Sequence, residues 1–273
     1  MTQHQFDTPH PVELFAEIGK GTIDVTATET TQTHVEVTGR DADQASVRQD
    51  GDRITVVGPK RGGLFGGDSR LDVRITLPTG SNAVVRTGSA DVAVHGTLGT
   101  AQVKSGSGGV HLDAVTGPLL TETGSGDIRI ESAGGALKIK SGSGDIVIGE
   151  TRAVTSISTG SGDVRMASSN GQTVVKTGSG DLEVGDSTLD VSLTTGSGDL
   201  VVARAHRGRV NVKGASGDVR IGIPAGVPVW TDISTVSGAI RSGLTSAGKP
   251  EEGADHVEVR ARTVSGDIVL VQS

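Results

Sequence analysis

A six-residue phrase, Thr-Gly-Ser-Gly-Asp followed by an aliphatic residue, returns every 18 residues through the middle of the chain. The residues at its aspartate position are Asp91, Gly109, Asp127, Asp145, Asp163, Asp181 and Asp199, and weaker copies follow at Asp218, Ala239 and Asp267. Self-similarity at a short fixed period is typical of stacked coils, in which each coil contacts only its neighbours. The repeat therefore constrains the architecture strongly. A motif present in every coil is expected to build the coil, and it says little about function.

Apolar residues alternate with variable residues at two places in each repeat. Counting the aspartate as position 1, positions 2 and 4 are apolar, and position 13 is apolar in most copies within a second alternating stretch at positions 11 to 15. Alternation with a period of two indicates a strand with one buried face. The predicted fold class is all-β, a parallel β-solenoid with about 18 residues per turn and two short strands per regular turn.

The Gly-Ser-Gly of each phrase is expected to form the sharp corner between strands, because glycine adopts positive φ and permits close backbone approach. The aspartates are interpreted as structural, each closing its own corner by accepting backbone N–H bonds as in an Asx-turn. Lysines at position 14 recur in every second turn, which avoids stacking like charges directly on each other; they are Lys104, Lys140 and Lys176.

The two ends of the chain depart from the 18-residue spacing. We predict one elongated domain over 1–273, with irregular N-terminal turns and a cap in 1–86, regular repeats in 87–222 and C-terminal turns in 223–273. The N-terminal part contains a glycine-rich loop at 58–70, and the C-terminal part contains a polar insertion at 242–256. Such irregular ends are expected in solenoids, because they block the addition of strands from other chains.

Composition disfavours several classes of protein. There is no cysteine, which excludes disulfides and thiolate metal sites. No run of about 18 apolar residues occurs, so no integral membrane association is expected. A net charge of −7 disfavours a nucleic-acid surface. The first ten residues lack the basic and apolar regions of a signal peptide, and we expect a cytoplasmic protein.

Motifs for catalysis and cofactor binding are not found, so no catalytic, cofactor or metal residues are predicted. The seven histidines occupy unrelated repeat positions, and no nucleophile elbow or phosphate-binding loop occurs. Calcium-binding β-rolls also have 18-residue turns, but they use two Gly-rich nonapeptides per turn, whereas this chain has one aspartate per turn. A polysaccharide-active β-helix enzyme is disfavoured as well, because identical aspartates along the chain indicate structure and sugar-stacking aromatic residues are scarce.

One short segment combines positive charge with apolar residues that look exposed: Lys60, Arg61, Leu64 and Phe65. The first interpretation is a glycine-hinged cap that folds Leu64 and Phe65 over the end of the solenoid. The second is a docking tip for a protein partner or a membrane surface. These four residues are the candidate partner-binding site.

The chain resembles the bacterial DUF4097 family, also called the Toastrack domain and given an adhesin label. The resemblance covers nearly the whole chain and rests on the Gly-Ser-Gly-Asp-Ile/Val/Leu repeat, the stretch from Pro59 to Gly66, and the ending from Arg260 to Ile268. It implies a β-solenoid without established catalytic residues. Relatives often accompany bacterial envelope-stress systems, and some are fused to membrane segments.

From these observations we expect a non-enzymatic scaffold or protein-interaction module with a protein partner, linked to bacterial envelope-stress signalling. The alternative is an exported adhesin that binds surface glycans or proteins. The absence of an export signal in the sequence favours the first.

Overall fold

The computed structural model describes residues 1–59, 70–245 and 255–273. The chain divides into two compact units, Met1–Ala136 and Leu137–Ser273. Within the described ranges both units consist almost wholly of β-strands, and one short 3-10 helix occurs at Ala42–Gln44. Parts of the loop at 58–70 and of the insertion at 242–256 lie outside the described residues.

The strands of the first unit are β1 (Thr2–Asp7), β2 (Glu13–Ile18), β3 (Lys20–Thr28), β4 (Gln32–Gly39), β5 (Ser46–Asp50), β6 (Arg53–Val57), β7 (Arg70–Pro78), β8 (Asn82–Thr87), β9 (Asp91–Leu98), β10 (Ala101–Ser105), β11 (Val110–Val115), β12 (Leu119–Thr123) and β13 (Ile128–Ala133). The strands of the second unit are β14 (Leu137–Ser143), β15 (Ile146–Thr151), β16 (Thr155–Ser161), β17 (Val164–Ser169), β18 (Thr173–Ser179), β19 (Leu182–Ser187), β20 (Val191–Ser197), β21 (Leu200–Ala205), β22 (Gly208–Ser216), β23 (Val219–Ile223), β24 (Val229–Ser237), β25 (Ile240–Ser242), β26 (Val257–Ser265) and β27 (Ile268–Gln272).

Each regular coil contributes one strand to each of two parallel sheets. In the first unit Val92 pairs with Val110, and Ala101 pairs with Leu119, each at an offset of 18 residues. In the second unit Ile146 pairs with Val164 at the same offset. The 18 residues of one repeat are thus the length of chain that makes one full coil and places each residue beside its equivalent in the next coil. The predicted fold class, a parallel β-solenoid with two short strands per regular turn, is confirmed.

The core of each unit is a set of columns of stacked side chains. Position 2 is buried in every regular coil, at Val92, Val110 and Ile128 in the first unit and at Ile146, Val164, Leu182 and Leu200 in the second. The neighbouring positions along each strand face outward, because successive side chains in a strand point to opposite faces. Burial of Val, Ile and Leu therefore stabilises the coils without aromatic residues.

Outward-facing positions carry the charges. At position 14 of the first unit, Lys104 lies beside Glu122, with 2.8 Å between Nζ and Oε2. In the second unit Lys176 is flanked by Ser158 and Thr194. The predicted avoidance of stacked like charges is therefore seen around Lys176, whereas Lys104 pairs with Arg86 on its other side.

The first unit does not stack its coils in chain order at its N-terminal side. Strands β2 and β3 lie between the coil of β8 and β9 and the later strands β6 and β7. Beyond them, β4 runs antiparallel to β7, β1 antiparallel to β4, and β5 antiparallel to β6. The N-terminal strands therefore depart from the parallel solenoid, as the irregular sequence spacing indicates.

The second unit also leaves chain order at its C-terminal side. Strand β26 lies between β22 and β24, and β27 lies between β23 and β25. In the core column Val219 is followed by Ile268 and then by Ile240. The last strand of the chain is therefore an interior strand, and the coil of β24 and β25 lies outside it. This outer coil is called the terminal coil below.

The order of the last coils predicts that truncating two isoleucines at equivalent positions lowers the free energy of unfolding by different amounts. Ile268 is completely buried, whereas Ile240, its neighbour in the column, is 47% exposed. Ile268→Ala should lower the free energy of unfolding by about 2–5 kcal/mol, because it leaves a cavity in a packed core. Ile240→Ala should cost less than about 1 kcal/mol. Chemical denaturation of both variants measures the difference, and a larger cost at Ile240 would contradict the order of the strands.

Candidate functional site

The corner aspartates accept hydrogen bonds from the adjacent coil. Asp91 Oδ1 accepts the Gly109 N–H at 2.8 Å in the first unit. In the second unit the same bond joins the following carboxylate and amide pairs at 2.8–3.0 Å: Asp145 and Asp163, Asp163 and Asp181, Asp181 and Asp199, Asp199 and Asp218, Asp218 and Asp267, and Asp267 and Ala239. From the sequence, these bonds were expected within each corner as Asx-turns. The structure instead shows them between coils.

A second hydrogen bond completes each contact between corners. Asp181 donates its N–H to Asp163 Oδ1, and its carbonyl oxygen accepts the Val164 N–H at 2.9 Å. The carbonyl oxygen of Asp127 accepts the Val110 N–H in the same way. The carboxylate thus supplies the acceptor for an amide that the parallel ladder would leave unpaired at the corner. We call this two-bond contact the corner clamp.

The glycine before each donating amide lets the two corners of the clamp approach each other. Gly180 has φ of +137°, a conformation that L side chains rarely adopt. A Cβ atom at Gly180 would overlap the carbonyl oxygen of Gly162. Both conditions follow from the close approach of neighbouring corners, so Gly and Asp in the phrase act as one structural unit.

The clamp is interrupted at Gly109, which offers no carboxylate to the next coil. Close to this break, His95 on β9 and His111 and Asp113 on β11 lie together on the outer face of the sheet. The Nδ1 atom of His95 is 3.6 Å from Asp113 Oδ2, and the Nε2 atom of His111 is 3.0 Å from Asp113 Oδ1. The ligand atoms of the three residues all lie within 4.8 Å of one another. This group is called the His–His–Asp cluster.

The backbone of β9 orients the carboxylate of the cluster. Gly96 has φ of +85° beside an irregularity in the pairing of β9 with β11, and its N–H donates to Asp113 Oδ2 at 3.0 Å. Burial raises the pKa of Asp113, but the hydrogen bonds from Gly96 and His111 and the charges of both histidines outweigh it and lower the pKa below its ordinary value. Asp113 is therefore held as a carboxylate facing two imidazoles.

A related cluster in the second unit has an arginine in place of one histidine. Arg204 donates two hydrogen bonds to Asp186, both at 2.7 Å, and His206 Nε2 lies 3.1 Å from Asp186 Oδ1. The hydrogen bonds from Arg204 and then from His206 lower the pKa of Asp186 from 3.8 to about 2. Asp186 and Arg204 therefore form an ion pair, and this group has one imidazole where the His–His–Asp cluster has two.

The terminal coil exposes apolar side chains. Neither β24 nor β25 has a buried residue, whereas the neighbouring strands β26 and β27 are buried at alternate positions. Trp230 is 56% exposed and Val236 is 82% exposed. Val264 on β26 is also exposed. The described part of the second unit therefore presents an outer strand of nine residues that carries four apolar side chains.

The family model of Toastrack DUF4097 matches residues 13–172 and 137–270. The chain belongs to the Toastrack DUF4097 family. The family that the sequence resembles is therefore the one to which it belongs, and the β-solenoid seen here is the fold that the resemblance implies.

Several solved structures resemble this Toastrack chain at low sequence identity. A "putative adhesin" from Bacteroides fragilis is 12% identical, covers 98% of this chain and 96% of its own, and has a TM-score of 0.39. A "putative lipid binding protein" from Parabacteroides distasonis is 11% identical, with coverage of 98% and 96% and a TM-score of 0.43. A "putative adhesin" from Parabacteroides distasonis is 11% identical, with coverage of 99% and 96% and a TM-score of 0.40. No curated protein matches the chain.

The partner-binding residues predicted from the sequence, Lys60, Arg61, Leu64 and Phe65, lie outside the described residues. The prediction of a cap or docking tip at this position stays a prediction. In the described part of this Toastrack chain, no helix is both long enough and apolar enough to span a membrane.

The His–His–Asp cluster was not predicted from the sequence, because His95 and His111 hold different repeat positions. A signal was present. His95 is at position 5 of its repeat and His111 and Asp113 are at positions 3 and 5 of the next, and odd positions of this strand face outward. Side chains at such positions in adjacent coils are neighbours across a sheet: His95 and Asp113 share position 5, and His111 is a diagonal neighbour of His95.

The corner clamp predicts different effects for two substitutions of one aspartate. Asp181→Ala removes the acceptor of the Asp199 N–H and should lower the free energy of unfolding by about 1 kcal/mol. Asp181→Asn keeps an oxygen acceptor and removes one of several carboxylates stacked about 4.8 Å apart. It should therefore be at least as stable as the parent at low salt. Equal losses for both variants in urea denaturation would count against the clamp.

The Asp186 ion pair predicts a dependence of stability on pH. Because the folded-state pKa is lowered, ionised Asp186 stabilises the fold above pH 4, and this contribution disappears as the pH falls from about 4 to about 2. Asp186→Asn should cost no more than about 1 kcal/mol at pH 5, since exposed pairs contribute little. The urea midpoints of Asp186→Asn and of the parent protein should differ less at pH 2.5 than at pH 5. A difference that stays constant over this range would contradict the assignment.

Proposed function

We propose that this Toastrack chain is a non-enzymatic protein-interaction module that binds an extended segment of a partner protein along the terminal coil. The observation that carries the proposal is the exposure of this coil. Its strands have no buried residue and present Trp230, Val236 and Ile240. Apolar side chains grouped on one exposed edge are typical of interaction sites.

The backbone of the terminal coil supports binding of an extended segment. Within the described residues β24 pairs with β26 alone and β25 with β27 alone. An outer strand leaves a row of N–H and C=O groups that can pair with an added strand, and many recognition domains bind peptides in this way. The nine residues of β24 are long enough to align a peptide.

The side chains of the terminal coil indicate the composition of the partner segment. Ile233 is stacked on Ala261, and Ile240 is stacked on Ile268. Ala261 and Ile268 are completely buried, whereas Ile233 and Ile240 are only partly covered. A strand with branched aliphatic residues at alternate positions would continue the columns and bury these side chains.

The charge of the terminal coil favours a protein over a polyanion. Its two charged residues are Asp232 and Arg241, and each has an ionic partner: Asp232 pairs with Arg262 at 3.2 Å, and Arg241 pairs with Asp267 at 3.4 Å. Nucleic acids and anionic headgroups require clustered Lys and Arg side chains. An apolar edge without such a cluster therefore fits an uncharged peptide segment.

The described aspartates of the repeat support a non-enzymatic role. In the second unit the carboxylate of each corner aspartate from Asp145 to Asp267 accepts a backbone N–H of the adjacent coil. A carboxylate held in this way as a structural acceptor is a poor candidate for the acid–base work of a polysaccharide-active enzyme. We further propose that the module acts in the cytosol as a scaffold in envelope-stress signalling, as the family resemblance implies.

Site-specific crosslinking in the native cell tests the proposal. A photoreactive phenylalanine derivative at position 236 should crosslink a partner protein, whereas the same residue at position 154 should not. Val154 is the matched control, since it is 56% exposed and lies in the same unit away from the terminal coil. A synthetic peptide of the crosslinked segment should bind the purified chain, and Val236→Asp should weaken binding at least tenfold while Val154→Asp leaves it unchanged.

Three outcomes would overturn the proposal. Equal crosslinking at positions 236 and 154 would mean that the terminal coil is not the docking surface. A crosslink from position 236 to a second copy of this chain would mean that the coil mediates self-association. Recovery of the protein outside the cell on fractionation would instead favour the exported adhesin.

A further inference from the structure

We propose that His95, His111 and Asp113 form a binding site for a divalent transition-metal ion of the zinc class. Two imidazole nitrogens and one carboxylate oxygen are typical protein ligands of such ions, with water completing the coordination. Among the residues that the structure describes, these three form the one group of His, Asp and Glu side chains with ligand atoms that converge in this way.

The distances in the cluster fit a shared ion. Ligands 2.0–2.1 Å from a tetrahedral zinc ion are separated from one another by about 3.3 Å. The two nitrogen-to-oxygen distances in the cluster are 3.0 and 3.6 Å. The imidazoles use different carboxylate oxygens, since His111 faces Oδ1 and His95 faces Oδ2. Small rotations of exposed side chains would therefore bring three ligand atoms to one centre.

The fold holds the ligands in position before an ion binds. Strands β9 and β11 are adjacent in the parallel sheet, which fixes the spacing between His95 and the two ligands on β11. The Gly96 N–H holds Asp113 Oδ2 at 3.0 Å. A hydrogen bond to a ligating carboxylate orients it and limits the rearrangement that binding requires.

The neighbours of His111 in the sheet leave room for a cation and do not repel it. His111 pairs across the sheet with Ala93 on one side and with Arg129 on the other. Arg129 is engaged by its neighbour Glu131, with 2.5 Å between Nε and Oε1, so its positive charge is compensated. The cluster side chains are 35–50% exposed, which permits water to fill the remaining coordination positions.

The Asp186 cluster of the second unit provides a control within the same chain. It has a carboxylate and His206, but Arg204 occupies both carboxylate oxygens. A guanidinium is always protonated and cannot ligate a metal. The same kind of surface with one imidazole replaced by an arginine should therefore bind zinc far more weakly.

Calorimetric titration of the full chain with zinc chloride tests the proposal. We expect one ion per chain with a dissociation constant in the micromolar range or tighter, reversed by EDTA, and a rise in the melting temperature with zinc concentration. His95→Gln and His111→Gln should each weaken binding at least tenfold. Asp113→Asn, which tests the carboxylate, should also weaken it, and His206→Gln should leave it unchanged.

The result that would overturn the site is equally direct. Absence of saturable binding at 100-fold excess zinc over protein would refute it, as would binding that His206→Gln weakens as much as His111→Gln. Each variant is checked for an unchanged circular dichroism spectrum and melting temperature without zinc. All three ligands are partly exposed, so the substitutions should not unfold the chain.

Discussion

The hydrogen bonds between neighbouring coils are the interaction on which the rest of this structure depends. In the regular coils each strand is paired with the strand one coil away, and the corner clamp extends this pairing through the turn, where a parallel ladder would otherwise stop. The clamp needs an aspartate as acceptor and a glycine that lets two corners approach closely. The clamp also fixes the strand register from coil to coil, because a shift of one residue in the strand would move its buried side chains to the outer face. The register is kept even where the coil is longer, since Asp199 and Asp218 are 19 residues apart and the buried Leu200 still pairs with Val219. The Gly-Asp pair and the buried columns therefore follow from one constraint.

This constraint explains what the sequence predicts well. Alternation of apolar residues identified Val92, Val110 and Ile128 as one buried column, because the period of a strand and the period of the repeat point to the same residues. The family resemblance rests on the same repeated residues. The direction of the aspartate bonds was predicted wrongly, within a corner instead of between coils. An aspartate can accept a hydrogen bond from an amide of its own corner or from an amide of the next corner. The residue type is the same in both cases, and only the positions of the backbone amides distinguish them.

The ends and the outer faces were harder to predict for a different reason. Where the spacing widens, the repeat no longer says which coils are neighbours, so the placement of β27 between β23 and β25 could not be deduced. The burial of Ile268 beside the exposed Ile240 is the physical result of that order. The His–His–Asp cluster was missed because outward positions are free to vary from coil to coil, and a pattern search treats their residues as unrelated. In a solenoid such positions are adjacent in space, so function can arise there without any change in the repeat.

Through-hydrogen-bond scalar coupling in an isotope-labelled sample measures directly whether a corner aspartate binds the amide of the neighbouring coil. We expect a correlation between the amide nitrogen of Asp199 and the side-chain carboxyl carbon of Asp181. A correlation from the Asp199 amide to a group within its own corner, or the loss of protection of this amide from solvent exchange, would contradict it.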